Sequence, residues 1–295
     1  MKTSSSEALP NNASTFCVSA DDGHDVDAAL FAAPEPVAVV VIAPATGVRK
    51  EVYFSFASFL QKNGITALVF DYVGIGLTAT VANQTRTVSE WIKLDLNAVL
   101  TRTLERFPGS PVILLGHSLG GQLIGLLPIA RRLAGIVLVA VGVGNWRTMH
   151  APRKYWYGIA TQLLIPFSIR VFGSLPRWVG WRGEQLPPSA ALEWSRWCGS
   201  PEYVFSFLGE KDLQTIATLS VPTLELLFSD DPIATPSAAD VLLKYYEQLP
   251  VERRRICART TDTGGIGHNG FFSRRSRALW PDTLTWIESQ AGGER

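Results

Sequence analysis

The stretch PVILLGHSLGGQLIGLLPIA, residues 111–130, decides the fold. Pro111 to Leu115 form an apolar run of the kind that makes a buried strand, and the residues from Gln122 to Ala130 read as a helix. Between them GHSLGG, Gly116 to Gly121, fits the G-x-S-x-G nucleophile elbow, a tight strand-to-helix turn that presents one serine at the edge of a sheet. Glycines flank the serine because neighbouring backbone passes too close for a Cβ. Ser118 is therefore the candidate nucleophile. The backbone N–H of Leu119, the next residue, is one candidate donor to a developing oxyanion.

Working outward, residues 16 to 145 alternate short β-rich runs with amphipathic segments, the pattern of a mostly parallel sheet covered by helices. Phe16 to Ala20 and Val26 to Phe31 flank Asp22-Gly23, a hairpin signal. Val37 to Ala43, Ile65 to Phe70, Val112 to Leu115 and Gly135 to Ala140 read as strands, and Tyr53 to Gln61 as a helix. Thr87 and Glu90 form a capping box for a helix over 88–106 that Pro108-Gly109 closes. The regularity breaks between 146 and 210, which holds six of the nine tryptophans and many prolines and reads as a helical cap inserted after the sixth strand. Strand signal returns at Thr223 to Phe228 and Arg255 to Ala258, with helices near Ser237 to Gln248 and Arg277 to Ser289. The expected organisation is a flexible N-terminus over 1–15, a core of 16–145 with 211–295, and a cap over 146–210.

Composition narrows the function. Lys plus Arg number 27 and Asp plus Glu 26, so no global field recruits nucleic acid or an anionic membrane. Cys17, Cys198 and Cys257 are odd in number and unpaired in spacing, which argues against a disulfide framework or a thiolate zinc site. No H-E-x-x-H or comparable ligand cluster occurs, so neither metal nor cofactor is expected. The longest apolar run, Val37 to Ala43, is too short to span a bilayer, and the start of the chain has no signal-peptide core. A cytoplasmic protein is expected.

An acyl-transfer serine needs a base and an acid that orients the base. Of four histidines, His24 falls in the first hairpin, His117 adjoins the serine and points elsewhere, and His150 lies in the cap. His268, in GGIGHNGFF after the last strand signal, is placed where a loop carries an imidazole back over the sheet. The string Gly265 to Gly270 also satisfies G-x-G-x-x-G, but only 25 residues follow it, too few for a dinucleotide-binding unit. For the acid, Asp230 and Asp231 follow the strand LELLF at the sheet edge where open α/β sheets place their sites. Asp231 is the first choice and Asp230 the alternative, with one of the pair expected to be solvated. Asp212 and Asp262 read as turn or surface residues. The second oxyanion donor is expected in the turn Pro44-Ala45-Thr46-Gly47, with Thr46 favoured over Ala45.

These features resemble the α/β-hydrolase superfamily, from about residue 16 to 290. Asp71 to Thr78, DYVGIGLT, is similar to that family's D-x-R-G-x-G-x-S turn, with Val73 in place of the arginine. APATGVRKEVY, LEWSRWC, SDDPIATP and GIGHNGFF are closest to bacterial serine hydrolases of the serine-aminopeptidase-like and monoglyceride-lipase-like branch. Pro44-Ala45 stands where His-Gly is common. The resemblance implies an α/β-hydrolase fold, the chain order Ser, Asp, His, and hydrolysis of an ester or amide without naming a substrate. Serine at 118 excludes the dehalogenase and epoxide hydrolase chemistry of this fold, which uses aspartate.

The reading that follows is a serine esterase acting through an acyl-enzyme on a small or medium substrate with an apolar alkyl or aromatic group. Trp146, Trp156, Trp181 and Trp194 are the candidate pocket residues. An arginine among the cap cations Arg147, Arg153, Lys154, Arg170, Arg177, Arg182 and Arg196 is a candidate anchor for a substrate carboxylate, as in a half-ester. An acyltransferase or amidase with the same three residues, and a slow-turnover receptor on this fold, are the alternatives. A small-molecule ester is the expected partner.

Overall fold

The structure is a computed structural model that describes residues 9–79, 85–176, 180–181, 183–258 and 264–292. Residues 1–8 of the expected flexible segment, together with Arg177, Trp178, Arg182 and Asp262, lie outside the described residues.

Eight strands make one sheet among the described residues: β1 (Ser14–Ser19), β2 (Asp25–Phe31), β3 (Ala38–Ala43), β4 (Ile65–Phe70), β5 (Val112–His117), β6 (Gly135–Val139), β7 (Thr223–Phe228) and β8 (Val251–Ile256). Their order is β1-β2-β4-β3-β5-β6-β7-β8. The β1–β2 hairpin and the β2–β4 pair are antiparallel, and every later pair is parallel. Wholly buried runs such as AVVVIA in β3 and VILLGH in β5 sit in the middle, where both faces are covered. In β3, alternate residues divide between two cores. Val39, Val41 and Ala43 face one, and Val40 and Ile42 face the other.

Among the described residues ten α-helices accompany the sheet: α1 (Phe54–Lys62), α2 (Val88–Glu90), α3 (Asn97–Arg106), α4 (Leu119–Gln122), α5 (Arg153–Ile159), α6 (Ile165–Phe172), α7 (Pro188–Gly199), α8 (Glu210–Ala217), α9 (Pro236–Leu243) and α10 (Trp280–Gln290). Phe56 and Leu60 of α1 share the second core with Trp280 and Ile287 of α10, while α3 and α7 pack into the first. The Thr87 and Glu90 capping box is present, and a π-helical turn, Trp91–Leu96, joins α2 to α3. Helices α5 to α8 all lie between β6 and β7 in the chain. No helix among the described residues is long and apolar enough to cross a membrane.

Three local expectations differ from the structure. Helix α4 is a single turn, followed by 3-10 turns at Ile124–Leu126 and Pro128–Arg132, rather than a helix reaching Ala130. The cause comes from 124 residues away: the Tyr246 hydroxyl donates to the Gln122 carbonyl at 2.8 Å and accepts the Gly125 N–H at 3.2 Å, drawing the chain out of α-helical register. The last strand is Val251–Ile256, not Arg255–Ala258. It is a charged edge strand whose Arg253 reaches Glu225 on β7 and Asp240 on α9, so an apolar run does not mark it. The chain also joins the sheet at Ser14, inside the segment expected to be flexible.

The elbow brings backbone against backbone. Ser118 has φ 50° and ψ −114°, and its N–H donates to the Val139 carbonyl at 3.0 Å. A Cβ added at Gly120 would stand 2.3 Å from the Ala43 carbonyl oxygen, and one at Gly116 would stand 2.5 Å from the Gly121 Cα. Both obstacles are backbone, so neither can swing aside. Gly120→Ala is expected to destabilise the protein by more than about 2 kcal/mol, which lowers the thermal midpoint by roughly 4 °C or more. A calorimetric midpoint equal to that of the wild type would contradict the packing described.

Candidate active site

Three loops from the same sheet edge meet at Ser118. His268 Nε2 lies 3.0 Å from Ser118 Oγ, and His268 Nδ1 lies 2.8 Å from Asp231 Oδ2. With Nδ1–H donating to the carboxylate, Nε2 carries its lone pair toward the serine hydroxyl and accepts from it. The other Asp231 oxygen, Oδ1, accepts the N–H groups of Ile233 at 2.8 Å and Ala234 at 3.1 Å. Its carboxylate is therefore fixed by the backbone entering α9, where Thr235 caps the helix through Ala238 N–H.

Asp230 is not merely solvated, as one of the pair was expected to be. Its Oδ2 accepts the Ile266 N–H at 2.8 Å and its Oδ1 accepts the Gly267 N–H at 3.0 Å, so it holds the loop that carries His268. The adjacent aspartates divide the work: one touches the imidazole and one the backbone that aims it.

His117 does point away from the serine, but it is fully buried and bonded on both nitrogens. The Ala45 N–H donates to the Tyr53 hydroxyl oxygen at 2.9 Å, and Tyr53 O–H lies 2.8 Å from His117 Nδ1. His117 Nε2 lies 2.9 Å from the His268 carbonyl, which can only accept. These partners fix one arrangement in which Nε2–H donates to the carbonyl and Nδ1 accepts from the tyrosine. Burial, reinforced by the nearby His268, pushes the His117 pKa down to about 3 and keeps the ring neutral. A buried polar chain thus runs from the turn after β3 to the loop bearing His268. Nothing in the spacing of Tyr53 or His117 reveals it, because the partners lie 64 and 151 residues apart.

In the turn after β3 the Ala45 N–H donates to the Tyr53 hydroxyl, and Ala45 and Thr46 both line the same cavity as Ser118. Leu119 is the first residue of α4, so its N–H has no acceptor within the helix. Asp71 anchors the far end of the turn by accepting the Lys50 N–H at 2.6 Å and Lys50 Nζ at 2.9 Å, and the ammonium also meets Asp27 at 2.7 Å. Val73, at the position where an arginine is common, is buried. Its N–H goes to Asp95, which Arg86 engages from the other side.

The cavity above Ser118 measures about 580 Å³. Of the four candidate tryptophans, Trp181 and Trp194 line it, with ring centroids 5.7 Å apart. Trp146 and Trp156 do not. Trp146 packs on Gly158 and lies under the Arg147 guanidinium at 4.5 Å, and Trp156 faces outward. Tyr157, Gln122, Ile233, Arg49, Glu51 and Glu184 are lining residues that composition gave no reason to select. The cation in the wall is Arg49, not a described arginine of the cap, and its guanidinium is bonded to Glu51 at 2.8 Å. Arg147 instead donates to the Gly199 carbonyl and Arg196 lies over Phe207. The segment between β6 and β7 touches the turn directly: Glu184 N–H donates to the Gly47 carbonyl at 2.8 Å, and a Cβ at Gly47 would stand 2.6 Å from the Trp181 ring. Asp212 sits at the surface opposite Lys93.

Residues 34–177 match the family model described as serine aminopeptidase, S33. No curated protein matches the chain significantly. Among solved structures, the soluble variant of monoglyceride lipase from Saccharomyces cerevisiae, in complex with a substrate analog, is 14% identical with a TM-score of 0.67, covering 94% of this chain and 95% of its own. The α/β hydrolase GrgF from Penicillium sp. sh18 is 17% identical with a TM-score of 0.63, covering 97% and 100%. The Pyrococcus furiosus esterase Pf2001 is 14% identical with a TM-score of 0.59, covering 95% and 93%. The chain has the α/β-hydrolase fold.

The burial of His117 has a measurable signature. Below its ordinary value near 6.5, the unfolded chain takes up a proton there that the folded chain refuses until about pH 3. Stability at this site is therefore lost as pH falls through that window. Urea unfolding of wild type and His117→Gln at pH 7 and pH 4.5 is expected to show the wild-type advantage shrinking by about 3 kcal/mol. An unchanged difference would place the proton elsewhere.

Proposed function

We propose that this α/β-hydrolase-fold chain is a serine hydrolase that cleaves a carboxylic ester through an acyl-enzyme. The observation that carries the reading is the unbroken hydrogen-bonded line Asp231, His268, Ser118 at the floor of the cavity. Ser118 Oγ attacks the carbonyl carbon as His268 Nε2 takes its proton. The carbonyl oxygen becomes an oxyanion held by the N–H groups of Leu119 and Thr46, each worth about 3 to 4 kcal/mol to the transition state. Collapse breaks the ester bond, and His268 gives the proton to the departing alcohol. Water, deprotonated by the same nitrogen, then attacks the acyl group, and the acid leaves while Ser118 regains its proton. Asp231 stays ionised throughout and holds His268 in the required tautomer.

The pocket selects a neutral ester with an apolar group. Trp181, Trp194, Tyr157 and Ile233 supply apolar surface, as candidate pockets commonly do. Among the described residues, two carboxylates, Glu51 and Glu184, line the cavity against one guanidinium, Arg49, which Glu51 already neutralises. This described lining favours a neutral ester over the half-ester expected from a cap arginine, with Arg177 and Arg182 outside the described residues.

With p-nitrophenyl esters, Ser118→Ala and His268→Ala are each expected to lower kcat by about 10⁶-fold. Asp231→Asn is expected to lower it by about 10⁴-fold, through the wrong tautomer. Asp230→Asn retains an acceptor for the loop and is expected to stay within about 10²-fold of wild type with KM little changed. Undiminished turnover by Ser118→Ala would refute the assignment. In a second assay, a neutral butyrate ester is expected to give a kcat/KM at least about 10-fold above that of the matched succinate half-ester, a difference of roughly 1.4 kcal/mol. Equal values would remove the electrostatic argument.

A further inference from the structure

Most of this protein's exposed large apolar side chains lie on one helical hairpin arm of the segment between β6 and β7. Helix α5, a π-helical turn at Ala160–Leu164 and α6 follow one another without interruption. Along them Tyr155, Ile159, Leu163, Phe167 and Val171 recur every four residues, each between 45% and 63% exposed, with Trp156 beside them. The opposite side faces inward: Gly158, Thr161, Ile165, Ser168 and Ile169 are buried, and Tyr157 reaches the cavity above Ser118. Among the described residues the outer stripe is left half-exposed, its contacts being local ones such as Phe167 with Phe172. Apolar stripes of this length, with aromatic residues along them, mark a surface that meets another apolar phase.

Charge identifies that phase. Between Asn145 and Glu184 the sequence holds six lysines and arginines and no aspartate or glutamate, while the remaining residues carry 21 cations against 26 anions. The balanced total conceals this separation. Arg153, Lys154 and Arg170 stand on the striped helices themselves, and none forms an ion pair among the described residues. A second copy of this chain is a poor occupant, because a twofold interface sets a patch against itself and would oppose like charges. We propose that α5 and α6 form a peripheral docking face for the surface of an anionic phospholipid bilayer, with the apolar stripe in the headgroup layer and the basic residues against lipid phosphates. This binding does not depend on the hydrolase reading, and its test reads association and not turnover.

The experiment is co-sedimentation of the full chain with vesicles of phosphatidylcholine alone or with 30 mole per cent phosphatidylglycerol, a composition fixed at about this value to give a clear surface charge. Binding is expected to the anionic vesicles, at least about 10-fold stronger than to the neutral ones, and to weaken by about 10-fold between 0.1 and 0.5 M salt. Leu163→Glu, which deletes the centre of the stripe, and Arg153→Glu with Lys154→Glu, which inverts the charge at fully exposed or half-buried sites, are each expected to weaken binding by about 10-fold or more. Both carry unchanged thermal midpoints if the face is unpartnered within the protein. Absence of binding to anionic vesicles, or equal binding by wild type and both variants, would overturn the proposal. So would a dimer in analytical ultracentrifugation that Leu163→Glu dissolves, since it would assign the stripe to a second copy.

Discussion

Everything at this sheet edge depends on the contact of two backbones. The turn at Ser118 brings α4 against the end of β3 so closely that the Gly120 Cα faces the Ala43 carbonyl with no room for a side chain. This approach does two things at once. It holds residue 118 at a positive φ in the turn between β5 and α4, and it starts α4 at Leu119, whose N–H has no acceptor within the helix. A serine on a regular strand or helix would meet one of these requirements and not the other.

The remaining groups reach the serine by loops that the interior holds from behind. Asp231 is set by two N–H groups of its own turn, and His268 by Asp230 on one side of its loop and His117 on the other. Asp230 and His117 lie outside the cavity lining and bear on it through the loop of His268. Keeping His117 neutral matters to the same end, because a charge there would place two cations 5.4 Å apart, ring centre to ring centre, whenever His268 carries a proton.

Much of this was legible from residue order, and the reasons differ by element. The central strands announce themselves as unbroken apolar runs because both their faces are covered, and the elbow because its glycines stand at fixed spacing around the serine, although the contact that demands Gly120 comes from Ala43 on β3. The aspartate pair was visible as a pair but not as two roles, since a turn decides which side each carboxylate faces. The short elbow helix, the charged strand β8 and the Tyr53 to His117 chain were hidden, being set by partners far along the chain such as Tyr246, Glu225 and His268. The tryptophans show the same limit from the other direction. Their number marked a distinct segment, yet Trp181 faces the cavity from a loop and Trp156 faces out from α5, a matter of local orientation that composition does not carry.

The seat of Trp181 on Gly47 has a mechanical consequence. The indole occupies the space a side chain at 47 would need, and the neighbouring Glu184 N–H holds the Gly47 carbonyl, one residue from Thr46. Displacing this part of the wall would free that carbonyl and unload the turn. The wall at Trp181 and the turn after β3 are thus braced as one unit, so that a change in either is felt by the other.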